Sequence, residues 1–375
     1  METAYGTAWR RDDLVACDLP ARRLPIGYVD TETTGLHGGT GTYVFAIAIC
    51  RPMAAGLQVV QFFLPDPASE GAFLAATAAA LSSCETIASY NGRRFDLPLL
   101  ATRWVMARMR ADFQPPPHVD LLDLTRSLLR TRIGSCSLRA VEDRLLGFER
   151  DDDLPGWLVP EAYLSYVRGR GGGQLEAALR HNRQDVVSLH HLHQRLMVRL
   201  AGDDVDMRAG DWLSLGRHLL RQGRRADGWR ALRNSAELLE DEHSITAAIE
   251  LARRLTRRGA ARSAQALLEW TAGRLPPHPH LILARARLLE WRLADLALAL
   301  DLVERSLASG AGDRDFRRDL ERRRARLRRR LNRRLDGQRQ RLQLASGDRG
   351  AEDVHQVRVE RSSGLRRDPL ERLYR

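Results

Sequence analysis

Residues 27–35 read Gly27-Tyr-Val-Asp-Thr-Glu-Thr-Thr-Gly35 and close an apolar run that begins at Pro25. Residues two apart on a strand face the same side, so Asp30 and Glu32 are expected to project together from the end of a buried strand. Two like charges so placed repel unless a cation lies between them. A hard divalent ion such as Mg²⁺ or Mn²⁺ takes such oxygen ligands. The Thr-Thr-Gly that follows predicts a turn. Roughly one Asp-x-Glu pair is expected by chance in a chain this long, and a solvated loop can carry one, so the reading depends on partners elsewhere.

Moving outward, Tyr43–Arg51 and Leu57–Leu64 are rich in apolar and β-branched residues. With residues 25–32 and the glycine-rich turn over 35–41 they predict an antiparallel meander. The alanine-rich stretch Glu70–Ser82 predicts a packed helix. A fourth strand is expected over Glu85–Tyr90, running into Asn91-Gly-Arg-Arg-Phe-Asp96, with helix over Leu97–Met109. Beyond Pro115-Pro-Pro117, a brief apolar piece at His118–Leu122 completes five strands, and helices are expected over Leu122–Arg132 and Ser137–Leu146. Asp120 and Asp123 read as acids favoured at a helix N-terminus. The Asp151–Asp153 run reads as solvated, and Gly169–Gly173 as a flexible loop. A helical pattern over Gln174–Leu200 carries His181-Asn-Arg-Gln-Asp185, placing Asp185 on the face of His181. His190, His191 and His193 point to different faces of that helix and read as surface residues. Residues 1–24 are polar and read as an irregular lead-in. The expected unit over 25–200 is α/β, a five-stranded mixed sheet flanked by helices.

After an acidic linker at Ala201–Asp206 the character changes to helix pairs. Trp212, Leu215, Gly216 and Leu219 match the opening of a 34-residue tetratricopeptide repeat, with Leu for the last aromatic. One period later stand Leu251, Ala252 and Leu255, followed by Ala264, Leu268 and Pro276 where the repeat places a small residue, a bulky one and a closing proline. A looser third copy spans residues 284–308. An all-α tetratricopeptide-like domain is therefore expected over 207–335. It ends in an amphipathic helix, Phe316–Leu335, in which Arg314–Arg334 holds 12 Arg against three acids. That helix reads both as a cap on the array and as a phosphate-binding surface. Residues 346–375 are polar, and disorder is expected there.

The chain has no lysine, so its 60 basic residues are all arginine, and the formal net charge is +12. Residues 1–200 hold 22 Arg against 22 Asp plus Glu, while 201–375 hold 38 against 26. The excess thus lies in the second half, which points to a polyanionic partner or to a solubilising arginine surface. Cys17, Cys50, Cys84 and Cys136 are widely spaced with no C-x-x-C, and read as reduced thiols rather than a zinc site or disulfide frame. The N-terminus lacks a basic segment followed by an apolar run, and Tyr43–Cys50, the longest apolar run, is too short to cross a bilayer. A soluble cytoplasmic protein without a membrane partner is expected.

Three acidic motifs therefore follow in order: Asp30 with Glu32, then Asp96, then Asp185. Four carboxylates at one site need cations, and two divalent ions about 3.5–4 Å apart clamp the attacking and leaving oxygens of a phosphodiester. The stretches VDTETTGL, YNGRRFDLPLL and HNRQD, at 29–36, 90–100 and 181–185, resemble motifs I, II and III of the DEDD (DnaQ-like) 3′–5′ exonucleases. LLDLTRSLL, SLRAVEDRLLGF, DDLPGWLVPEAY and HNRQDVVSL narrow the resemblance to the YprB-like branch, over about residues 24–200 and loosely over the repeats.

The resemblance implies a ribonuclease-H-like fold and a metal-dependent nuclease of DNA or RNA, acting on a single-stranded 3′ end. Asp30, Glu32, Asp96 and Asp185 would hold two Mg²⁺ or Mn²⁺ ions, Asp30 bridging both. His181 stands where the family has a Tyr or His that orients or deprotonates water. It departs from the pattern, combining a His with the three-residue spacing typical of Tyr members. A histidine titrates near working pH and can serve as such a base. Asn91 and Phe95 match residues that flank the terminal nucleotide, Phe95 able to stack on a base, and Arg93 and Arg94 could reach phosphates. The alternative is an inactive nucleic-acid-binding or scaffold protein that uses its basic repeats, or one that recruits a protein partner through them.

Overall fold

The computed structural model describes residues 1–17, 26–35, 40–109, 116–148, 154–310 and 312–347. The chain divides into two compact units, Met1–Val205 and Asp206–Arg375. The Asp151–Asp153 run and the tail from 348 onward lie outside the described residues.

In the first unit, β1 (Glu2–Thr3) and β2 (Gly6–Thr7) form a small ladder beside a larger sheet. The sheet comprises β3 (Trp9–Val15), β4 (Ile26–Thr33), β5 (Val44–Met53), β6 (Gly56–Phe63), β7 (Thr86–Ser89) and β8 (His118–Asp120). Their spatial order is β3-β6-β5-β4-β7-β8. Pairing is antiparallel from β3 to β4 and parallel from β4 through β7 to β8.

The sheet has six strands where five were expected, because β3 falls in the stretch read as an irregular lead-in. Its sequence Trp-Arg-Arg-Asp-Asp-Leu-Val shows no apolar alternation, since charges occupy both faces. Arg10 pairs with Asp12 and Arg11 with Asp13, each across two residues on one face. Such charge suits an edge strand, where it discourages pairing with another chain.

The centre of the sheet is β5, whose residues Val44 to Cys50 are all buried. Burial on both faces explains its continuous apolar run. Fully burying each large side chain there contributes about 1.5–3 kcal/mol. Helices α1 (Glu70–Ser82), α2 (Asp96–Met106), α3 (Leu121–Ile133), α4 (Leu138–Val141), α5 (Val159–Val167) and α6 (Gly173–Ala201) flank the sheet. Phe45 stacks on Tyr163 of α5 with ring centroids 4.4 Å apart, and α6 packs along β4, β5 and β6. The bend into α6 uses Gly169 and Gly171, whose φ values of 71° and 110° are left-handed.

The second unit is helical. It comprises α7 (Ala209–Arg221), α8 (Arg225–Leu238), α9 (Glu242–Arg257), α10 (Ala261–Ala272), α11 (Pro279–Leu288), α12 (Leu296–Ala308) and α13 (Arg314–Gly347). Each helix packs on the next, and α9 touches both α7 and α11. A β-carbon on Gly216 would lie 2.9 Å from Leu232, and one on Gly228 would lie 3.0 Å from the carbonyl of Gly216. Close approach of α7 and α8 therefore requires glycine at both positions. Among the described residues no helix is long and apolar enough to cross a membrane.

Candidate active site

Strand β4 is buried from Ile26 to Val29 and emerges half-buried at Asp30. It outruns its parallel neighbour, for the β4–β7 pairing ends at Tyr28 and Ala88. Asp30 and Glu32 therefore stand on a strand end with open space beside it. Into that space comes the loop after β7. Asn91 adopts a left-handed φ of 67°, a conformation Asn tolerates better than most residues. A β-carbon on Gly92 would lie 2.2 Å from Ser89 Oγ and 2.9 Å from Asp96 Oδ2, so only glycine lets the loop fold this tightly. Asp96 then opens α2, and the Thr31 hydroxyl, between the two β4 acids, donates to Asp96 Oδ1.

Asp120 holds this loop in place. Its carboxylate accepts from the backbone N–H of Asn91 at 2.9 Å, of Arg93 at 3.2 Å and of Leu122 at 3.1 Å. The last of these caps α3, as expected of an acid there. The β7–β8 register pairs Ser89 with Asp120 and brings the cap beside the loop.

Helix α6 supplies the third side. Asp185 is buried at 8% exposure, and its Oδ2 lies 3.5 Å from His181 Nε2. Three residues before Asp185, Asn182 is fully buried and donates to Asp30 Oδ2 at 2.8 Å and to the Asp30 carbonyl at 3.0 Å. Gln61 of β6 donates in turn to Asn182 Oδ1 at 2.8 Å and to the Leu179 carbonyl at 2.9 Å. This amide relay orients Asp30. It was missed in the sequence, where its only trace is Asn182 at helical spacing before Asp185.

Two of these acids have raised carboxyls. Asp30 is held well above the usual carboxylate range, first by burial and then by the charges of Asp185, Glu32 and Asp96, with the Asn182 bond opposing. Asp96 is pushed up to about 6 by burial, against the Thr31 bond and with help from Asp120 and Asp185. Asp185 is thus near enough to Asp30 for its charge to act there. In these rotamers no three His, Cys, Asp or Glu side chains among the described residues surround a common metal position. Asp30 is turned to Asn182 and Asp96 to Thr31. The donor chemistry nonetheless fits a hard cation, since the raised Asp30 and Asp96 carboxyls would gain from a positive charge beside them.

A family model described as the RNase_H superfamily matches residues 27–197. Residues 27–197 form a ribonuclease-H-like domain. Uncharacterized protein YprB of Bacillus subtilis (strain 168) is 33% identical over 177 residues, covering 47% of this chain and 43% of its own length. The match thus spans less than half of that relative. A family B DNA polymerase from Pyrobaculum calidifontis shares 16% identity over 53% of this chain and 29% of its own, with a TM-score of 0.34. That similarity is too low to carry an argument.

In the ribonuclease-H-like domain, Phe95 is 52% exposed beside Asp96, with Arg94 exposed next to it. Arg93 reaches Asp123 at 3.5 Å. Asn91 and Tyr90 border an open cleft of about 570 Å³ that also holds Arg126 and Arg130. The three histidines of α6 are not surface residues as expected, because α6 is covered by the sheet on one side and by neighbouring segments on others. His190 is buried and packs edge-on against Tyr28 at 5.3 Å, and His193 Nδ1 lies 2.8 Å from the Tyr28 hydroxyl. Burial, with His191 and His193 nearby, lowers His190 to about 4.

Proposed function

We propose that the ribonuclease-H-like domain is a metal-dependent nuclease that hydrolyses phosphodiester bonds from the 3′ end of a DNA or RNA strand. The observation that carries this reading is geometric: Asn182 of α6 bonds Asp30 and Thr31 of β4 bonds Asp96, so the three elements that bear the four acids meet. There the Asp30 carboxyl is raised by burial and by the charges of Asp185, Glu32 and Asp96. These four side chains are the residues that would hold two Mg²⁺ or Mn²⁺ ions. Bound there, such ions supply charge neutralisation at the attacking and departing oxygens of the phosphodiester.

The chain's own groups divide the remaining work. His181, half-buried beside Asp185, accepts the proton of the attacking water. Asn182 and Gln61 keep Asp30 in one orientation, which matters because small misplacements at a reacting centre cost rate steeply. Phe95 offers an exposed ring for the terminal base, Asn91 flanks it, and Arg93 and Arg94 contact phosphates.

End-labelled single-stranded DNA and RNA, incubated with Mn²⁺ and resolved on a gel, test this reading. Stepwise shortening from the 3′ end is expected, abolished by chelator and reduced by at least about a hundredfold in Asp30→Asn. Wild-type activity in Asp30→Asn would overturn the assignment. Strand binding with no nucleotide release would favour the alternative, an inactive fold that binds nucleic acid.

A further inference from the structure

Helices α7, α9 and α11 line one open groove of about 820 Å³ in the helical unit. Its charge is lopsided. The acid on its wall, Glu250, is engaged by Arg217. Arg253 and Arg257 lie one turn apart on α9, where like charges at that spacing repel. Arg287 follows on α11, and Arg292 just beyond its end. All four are exposed, and among the described residues none makes an ion pair with an acid. Trp291 stands beside them at 60% exposure, with the Arg330 guanidinium 4.6 Å from its ring centroid. The indole thus offers an exposed aromatic surface among the groove's arginines.

We propose that this groove binds a single-stranded nucleic acid, the arginines contacting successive phosphates and Trp291 stacking on a base. Planar guanidinium forks suit phosphate oxygens, and base stacking on an aromatic ring tolerates any sequence. An acidic peptide would satisfy the charge but gives the flat, exposed indole no planar partner. The choice of nucleic acid as occupant rests on the proposed nuclease reading, while the charge and shape of the groove do not.

The test is fluorescence anisotropy of a labelled oligonucleotide with the full chain in chelator, so that nothing is cleaved. Arg257→Glu/Arg287→Glu is expected to weaken binding at least about tenfold and to lower the salt slope by about one unit per arginine. Arg262→Glu, an exposed change on α10 outside the groove, is expected to have little effect, and circular dichroism checks that all variants are folded. Trp291→Ala should weaken binding with the salt slope unchanged. The inference is overturned if the double variant binds as Arg262→Glu does, or if a polyglutamate peptide outcompetes the oligonucleotide. Asp30→Asn separates the two proposals: loss of cleavage with binding intact supports both. Groove-dependent binding without cleavage by the wild type removes the nuclease reading alone.

Discussion

Asp96, proposed as a metal ligand, is a buried carboxylate that strains its own protein. Burial pushes its carboxyl up to about 6, above the unfolded value of roughly 3.9. A folded value above the unfolded one means that stability is intact below about pH 4 and is lost as pH rises towards 6. In metal-free protein, Asp96→Asn is therefore expected to stabilise by about 1–3 kcal/mol at pH 7.5. The gain should vanish near pH 4, because the wild-type carboxyl is then neutral in both states. Urea unfolding at the two pH values checks this, and equal gains at both would refute it. Asn keeps an oxygen for the Thr31 hydroxyl, so the comparison isolates charge. At this scale the proposal of the four acids rests on motif spacing, which is readable in the sequence without the fold. Asn182, Gln61 and the loop-fastening role of Asp120 were not, since their partners lie 152, 121 and 29 residues away.

At the scale of the element, the arginine-rich α13 is fastened by a single buried acid. Glu290 is 1% exposed and binds Arg323 at 2.8 Å, Arg326 at 2.8 and 2.9 Å, and Arg330 at 3.0 Å. Phe316, Leu320 and Leu327 bury the same face against α11 and α12. Three of the 12 arginines read as a binding surface, Arg323, Arg326 and Arg330, are thus structural, a distinction that composition alone cannot make. Removing one partner from a buried ionic cluster typically costs about 3–5 kcal/mol, and Glu290→Gln is expected to lower helical-unit stability by that order. Burial pushes the Glu290 carboxyl up, but Arg326, Arg323 and Arg330 outweigh it and hold it below the usual range. Its stabilisation is therefore complete above the ordinary carboxylate range and is lost only as pH falls below it. Thermal unfolding of wild type and Glu290→Gln between pH 3 and 7 should show their difference shrinking only at the acid end, about pH 4 and below.

At the scale of the whole molecule, the two units have separate apolar cores, one around β5 and others among α7–α13. Ligands and mutations should therefore act on them separately. Mn²⁺ at a hundredfold excess over its dissociation constant is expected to stabilise the first unit by about 2.7 kcal/mol. The transition that Glu290→Gln lowers should stay in place. Calorimetry with and without Mn²⁺ reads both, and a Mn²⁺ shift that persists in Asp30→Asn would contradict the proposed site.

From the sequence alone came the strands with their apolar runs, the helices with their periodicity and the ribonuclease-H-like fold, because local chemistry and spacing encode those directly. Only the tertiary structure decided that charged Trp9–Val15 becomes a sixth strand, that His190 is buried with His191 and His193 half-buried, and that Asn182 of α6 meets Asp30. Each of those depends on which distant segment supplies the neighbouring surface, and pairing between segments remote in sequence leaves no periodic trace in the chain.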